Sequence, residues 1–213
     1  MESNFVIRLE TEKDFRAAEE MTREAFWNFY VPGCNEHLLV HNFRKHKDSI
    51  PELNFLATLS DRIVGNIVYS RSKIVSNNDI ITQTITFSPL SVHPEFQNQG
   101  IGGKLMKHSF DEARKLGYKA ILIYGYPEYY TRFGFQPASK FSISRSDGEF
   151  SKSLMAYELA ENSLSDAKGK FFESSGFESS EEELIEFDKS FAPKLKEITE
   201  SQKRFQQAVN AIQ

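Results

Sequence analysis

Cysteine is almost missing from this chain: Cys34 is the only one in 213 residues. A lone thiol excludes an internal disulfide and any zinc site built from cysteine pairs, and no metal is expected. Long apolar runs are missing too. No stretch approaches the ~20 residues a membrane-spanning helix needs, so no membrane partner is expected. Nor is there a surplus of positive charge. Lys and Arg total 26 against 30 Asp and Glu, a formal net charge of -4, which removes the overall electrostatic case for nucleic acid. The opening Met-Glu-Ser-Asn-Phe has neither the basic segment nor the apolar core of a signal peptide, and the expected address is the cytoplasm.

Aromatic residues are plentiful instead. Nineteen Phe in a chain 39% hydrophobic and 26% charged suit the packed layers of a globular protein. The length allows one ordinary domain with a modest extension.

Hydrophobic spacing places the elements. Phe5–Leu9 reads as a strand. Thr11 with Asp14 three residues on forms a capping-box-like start to a helix running to about Phe29. Val31 to Asn35 breaks that helix, and a second is expected over Glu36–Lys47. Leu53–Leu59, Arg62–Lys73 and Thr82–Val92 are rich in β-branched and aromatic residues and predict an antiparallel meander. Ile101–Leu116 has helical spacing, with Gly117 at its end. Ala120–Gly125 is a continuous apolar run, as in a buried strand. A helical turn over Glu128–Phe133 stops at Gly134, and later strands are expected at Lys140–Ser144 and Leu154–Leu159.

After Ala160 the composition shifts toward Ser, Glu, Gly and Lys. The chain is therefore divided into a domain over 3–160 and a C-terminal extension over 161–213. Within the extension, Ser180 followed by three Glu starts a short helix. Phe191, Leu195, Ile198, Gln202, Phe205, Val209 and Ile212 then alternate four- and three-residue steps. They predict an amphipathic helix that packs on its own domain or self-associates, giving a monomer or a homodimer.

The most informative segment is residues 89–104, where an apolar strand runs through a polar, glycine-rich turn into a helix. Gly100 and Gly102 let an anion approach the bare backbone N–H groups of residues 98–103 at the positive helix end, as a pyrophosphate would. A Walker loop needs Gly-Lys-Ser/Thr, but Leu105 follows Lys104. A dinucleotide fingerprint fails as well, since position 105 is Leu and the next strand ends in Tyr124-Gly125 rather than an acidic residue.

What does match is Leu90-Ser-Val92-His-Pro94 followed by Gln97-Asn-Gln-Gly100-Ile-Gly102, with Pro127-Glu-Tyr-Tyr130-Thr-Arg-Phe-Gly134-Phe135 downstream. On these two motifs the chain resembles the GCN5-related N-acetyltransferase (GNAT) superfamily. Its Val64-Gly65 strand and the helix from Glu36 to His41 look most like the YhbS-like predicted acetyltransferases. The resemblance covers approximately residues 5–160 and implies a mixed α/β fold. Its central sheet would be mostly antiparallel and twisted, with one splayed parallel pair and flanking helices.

The resemblance also implies acetyl transfer from acetyl-CoA, a co-substrate, to a primary amine of a small molecule or a protein. Leu90, Ser91 and Val92 would offer strand backbone to the pantetheine, the Val92 N–H also facing the thioester carbonyl. Gln97, Asn98, Gln99, Gly100, Ile101, Gly102 and Gly103 would hold the pyrophosphate, with Lys104 adding charge. Tyr130 would protonate the departing thiolate, while Tyr129 and Phe133 pack against the cofactor. A free amine with a pKa near ~10.4 is almost wholly charged at neutral pH, so a base is needed. Glu36 is preferred over His37, His41, His93 and Glu128, and Cys34 could line the acceptor cleft. A non-catalytic acyl-CoA-binding module of the same fold is the alternative; it would have no need of a thiolate acid.

Overall fold

The computed structural model describes residues 5–203 and 205. Strand β1 (Val6–Leu9) leads into a short 3-10 turn and helix α1 (Phe15–Phe26). The Thr11 N–H donates to Asp14 Oδ2 at 2.8 Å, and the Asp14 N–H returns to the Thr11 carbonyl at 2.9 Å. Arg8 forks the same carboxylate with two 2.7 Å bonds, which holds Asp14 well below the usual carboxylate range. Helix α1 ends at Phe26, short of Phe29, because Asn28 turns left-handed at φ 58 and its side chain accepts from the Gly33 N–H. Helix α2 (Glu36–Phe43) likewise stops short of Lys47.

The expected meander forms as β2 (Phe55–Leu59), β3 (Arg62–Val75) and β4 (Ile81–Val92). Ser60 and Asp61, both at positive φ, make the tight turn between the first two strands, matching the strand twist. Helix α3 (Ile101–Lys115), β5 (Ala120–Tyr124) and the one-turn helix α4 (Pro127–Tyr130) follow. Then come β6 (Gln136–Pro137), β7 (Ile143–Ser144), β8 (Leu154–Glu158), β9 (Gly169–Phe172) and α5 (Glu181–Asp188).

All strands join one sheet in the order β1-β2-β3-β4-β5-β8-β6, with β9 pairing both β3 and β7. Neighbours run antiparallel except β4–β5 and the short β7–β9 pair, so the expected mixed fold is present. Helices cover both faces. On β3, Val64 and Ile67 join α3 residues Ile101, Leu105 and Phe110 in the main core. Ile63 packs with Ala18 and Met21 of α1, and Val68 with Val40 and Phe43 of α2. With helices packed on both sides, this long hairpin is apolar on both faces.

Three sequence expectations are corrected. The strand expected over Lys140–Ser144 is mostly a 3-10 turn, Ala138–Phe141, with only Ile143–Ser144 extended. Pro137 brings no N–H to a ladder, and Ser142 at φ 57 reverses the chain. The boundary at 160 does not divide the fold either, since β9 enters the main sheet.

The amphipathic stripe fails at its start: residues 192–199 are not helical, and helix is found at 200–203 and 205. Pro193 opens this stretch, and the carbonyls of Ala192 and Leu195 accept instead from Arg23, Trp27 and Asn28. Leu195 and Ile198 are exposed, at 74% and 78%. Val209 and Ile212 lie outside the described residues.

Candidate active site

Two strands that begin as neighbours part company here. Strands β4 and β5 share a single register pair, Ile85 with Ile121. Beyond it β4 carries one extra residue against β3: Ile67 faces Leu90, whereas Tyr69 faces Phe87. Such a bulge bends its strand, and an open edge is left on β4. The antiparallel alternation decides which groups line that edge. The His93 N–H donates to the Val64 carbonyl at 2.9 Å, so the N–H and C=O of Val92 and Leu90 point away from β3. Ser91 is the opposite case. Its backbone belongs to the β3 ladder and its hydroxyl is buried without a partner. Its expected place on the open edge is therefore corrected.

Tyr130 stands in the fork. Its ring lies 6.1 Å from Phe87 on β4 and 5.5 Å from Phe135. It also lies flat on Gly125, the residue after β5, where a Cβ would come within 2.2 Å of Cε2. Burial among these rings, with the Tyr30 and Tyr129 phenols nearby, raises its pKa and keeps the hydroxyl protonated.

The loop after β4 opens into the N-terminus of α3. Gly100, at φ 80, caps α3, and a Cβ there would meet nothing within 4 Å. It is glycine for its backbone angle, and the space in front of it is open. The first N–H groups of α3 have no intrahelical acceptor and face that space. A Cβ on Gly102 would lie 3.2 Å from the Tyr129 hydroxyl, and one on Gly103 would lie 2.8 Å from Phe133. Gly103 is thus small because Phe133 packs on it, not because a phosphate must pass. Gln97 uses its side chain to donate to the Val92 carbonyl at 3.1 Å, and Gln99 donates to the Glu95 carbonyl. These two glutamines brace the turn. Gln97 lines the cavity, whereas Gln99 does not.

One cavity of about 1110 Å³ joins these features. It is lined by Leu90, Ser91, Val92, Asn98, Gly100, Ile101, Gly102, Gly103, Lys104, Tyr129, Tyr130 and Phe133. It adds Lys107 and Arg132 at the loop end. At the other end it reaches Phe26, Phe29, Tyr30, Glu36, Tyr126 and Phe205. Neither cation was singled out from the sequence, although Lys107 lies one helical turn beyond Gly103. The aromatic wall was not found either, because it combines the end of α1, the residue before α4 and the C-terminal segment.

Among the expected bases, Glu36 lines this cavity. Burial pushes its carboxyl up to about 7, against N–H donation from Asn35 and its own backbone. His37 is fully buried against Asp188 at 3.0 Å and is pushed down to about 4 by burial. His41 holds Glu19 at 2.9 Å. His93 accepts from the Glu95 N–H and meets Arg62. Glu128 is exposed and does not line the cavity. Cys34 lies outside the cavity, buried 3.5 Å from His37 Nδ1, with its thiol pushed up by burial. A His and an Asp do stand behind it, which the sequence did not disclose, but a protonated, enclosed thiol is no nucleophile. No cluster of three potential metal ligands occurs among the described residues.

The arrangement can therefore hold a phosphate-bearing chain along an open strand edge, with one phenol and one carboxyl at its inner end. Residues 51–137 match the acetyltransferase (GNAT) domain family. The chain is 31% identical over 101 residues to the uncharacterized N-acetyltransferase YjhQ of Escherichia coli (strain K12), a match covering 47% of this chain and 55% of that protein. It is 26% identical over 165 residues to the uncharacterized N-acetyltransferase YhbS of the same strain, covering 77% of this chain and 93% of that one. Among solved structures, YhbS from Escherichia coli in complex with CoA superimposes with a TM-score of 0.70 at 24% identity, over 81% of this chain and 91% of that one. A GNAT family acetyltransferase from Brucella melitensis in complex with acetyl-CoA gives 0.66 at 22% identity, over 83% and 99%.

Proposed function

From the match of residues 51–137 to the acetyltransferase (GNAT) domain family and the likeness to YhbS, we propose that the chain is a YhbS-like member of the GNAT superfamily and transfers an acetyl group from acetyl-CoA to a primary amine by direct attack on the thioester. The observation that carries this reading is the open β4 edge beside the Gly100 loop, with Tyr130 in the fork. The first N–H groups of α3 would take the pyrophosphate, with Lys104, Lys107 and Arg132 supplying positive charge. Leu90 and Val92 would pair with the pantetheine amides as a strand would.

Each step is assigned to a group of this chain. The Val92 N–H donates to the thioester oxygen as negative charge gathers there. Glu36, poised near neutrality, accepts a proton from the ammonium and leaves a neutral amine to attack. Tyr130, held protonated, gives its proton to the sulfur as the carbon–sulfur bond breaks, and the second proton shed by the acylated nitrogen restores the phenol. Cytoplasmic location is part of the same proposal; no helix among the described residues is long and apolar enough to cross a membrane.

Calorimetric titration of the full chain with acetyl-CoA, followed by thiol release with a panel of amines, tests the reading. Binding with amine-dependent thiol release supports it. Binding without release from any amine would leave a non-catalytic acyl-CoA module, and no binding would remove the reading altogether.

A further inference from the structure

The inner end of the cavity is aromatic to an unusual degree. Tyr30 packs on Phe29 with centroids 4.7 Å apart and on Phe26 at 5.9 Å. Phe205 closes over Tyr30 at 4.6 Å and reaches Tyr126 at 6.4 Å. All five rings line the same cavity as Glu36.

Phe205 is placed there by the C-terminal segment, which is tied down along its length. Asp188 accepts from Arg23 at 3.1 Å, and Trp27 donates to the Leu195 carbonyl at 2.9 Å. The Asn28 carbonyl accepts from both Thr199 Oγ1 at 2.8 Å and Gln202 Nε2 at 3.0 Å. The wall is thus part of the fold rather than a chance contact of one ring.

Charge narrows the choice further. Among the described residues lining the cavity, Glu36 is the sole carboxylate, against the cations Lys104, Lys107, Arg132 and Arg145. A polyamine or aminoglycoside would bring several ammonium groups to that one carboxylate. A single ammonium on a flat apolar body meets the opposite conditions. Its charge is matched by Glu36 and the ring faces, and its body is taken from water by the aromatic wall.

We propose that the acceptor is a monocationic primary amine carried on an aromatic body, and that Phe205 is a specificity-determining residue for it. This rests on the acetyl-transfer reading above.

The probes are 2-phenylethylamine, tryptamine, n-butylamine and spermidine, used with the full chain. The expected result is a kcat/KM for the two arylalkylamines about tenfold or more above those for butylamine and spermidine, as ring contacts worth ~1.4 kcal/mol would give. Phe205→Ala should raise KM for the arylalkylamines about tenfold, while Phe205→Tyr, which keeps the ring, restores it. Acetyl-CoA affinity by calorimetry should stay unchanged in both variants.

Calorimetry of 2-phenylethylamine with the CoA-saturated protein covers the case of slow chemistry. Turnover that prefers spermidine, or shows equal KM for aryl and alkyl amines, overturns the acceptor assignment while leaving acetyl transfer standing. So does an unmoved KM in Phe205→Ala, or no arylalkylamine binding to the CoA complex. Loss of acetyl-CoA binding by the unaltered chain would instead sink the reading beneath it.

Discussion

Tyr130 lies so close on Gly125 that a Cβ at position 125 would fall 2.2 Å from its Cε2 and 2.6 Å from its Cδ2. Gly125 is therefore the floor on which the phenol is set, just where β5 leaves β4. Gly125→Ala must push the ring out of the fork. The expected outcome is a kcat lowered by ~10- to 100-fold, since small misplacements of a reacting group are costly. Steady-state thiol release, with a thermal melt to show that the fold persists, checks this.

Glu36 gives the pH dependence. Its carboxyl is near 7 in the folded chain against an ordinary 4.5, so kcat/KM should rise with pH and level off above about 7. Glu36→Gln should flatten that limb and lower the plateau by ~10²- to 10⁴-fold. Stability moves the other way. Between pH 4.5 and 7 the unfolded chain gives up this proton while the folded chain keeps it, so stability falls as pH rises through that window. Above pH 7, Glu36→Gln should be more stable than the parent by on the order of 1–3 kcal/mol, read by urea unfolding.

Lys107 and Arg132 line the anion end of the cavity. Lys107→Ala should weaken acetyl-CoA binding by ~3- to 10-fold at low salt, and the deficit should shrink as salt screens the charge. Calorimetry at two ionic strengths measures both effects.

Asp188 accepts from Arg23 and His37, whose side chains are 6% and 0% exposed. Burial keeps His37 neutral, so the ion pair is with Arg23. Asp188→Ala would leave that guanidinium buried with only the Ala192 carbonyl, and should cost ~2–4 kcal/mol in urea unfolding. His37 adds a separate acid sensitivity. Its folded value near 4 lies below the ordinary 6.5, so its contribution is whole above pH 6.5 and is lost as pH falls toward 4.

The sheet and the loop could be read from the chain because their signals are local. β-Branched and aromatic residues mark β3, and the step from Val92 through Gly100 into Ile101 is continuous in sequence. The fork was legible only through the resemblance. Its cause, the extra residue on β4 between Phe87 and Leu90, is a matter of pairing with β3 that one strand cannot disclose. The side-chain amides of Gln97 and Gln99 are taken by carbonyls within the turn, a pairing that only the folded loop discloses. The aromatic wall escaped because Tyr30, Tyr126 and Phe205 meet only in three dimensions. The stripe from Phe191 to Ile198 misled because its spacing was helical while Pro193 and the side chains of α1 and Asn28 drew the backbone elsewhere.

Tyr130→Phe tests the central claim most directly, because it removes one oxygen from the fork and nothing else. Acetyl-CoA affinity should stay within ~2-fold of the parent, while the single-turnover rate of acetyl transfer to the best amine falls by ~100-fold. An unchanged single-turnover rate, with acetyl-CoA still bound, would contradict the assignment of this phenol as the acid that releases the thiol.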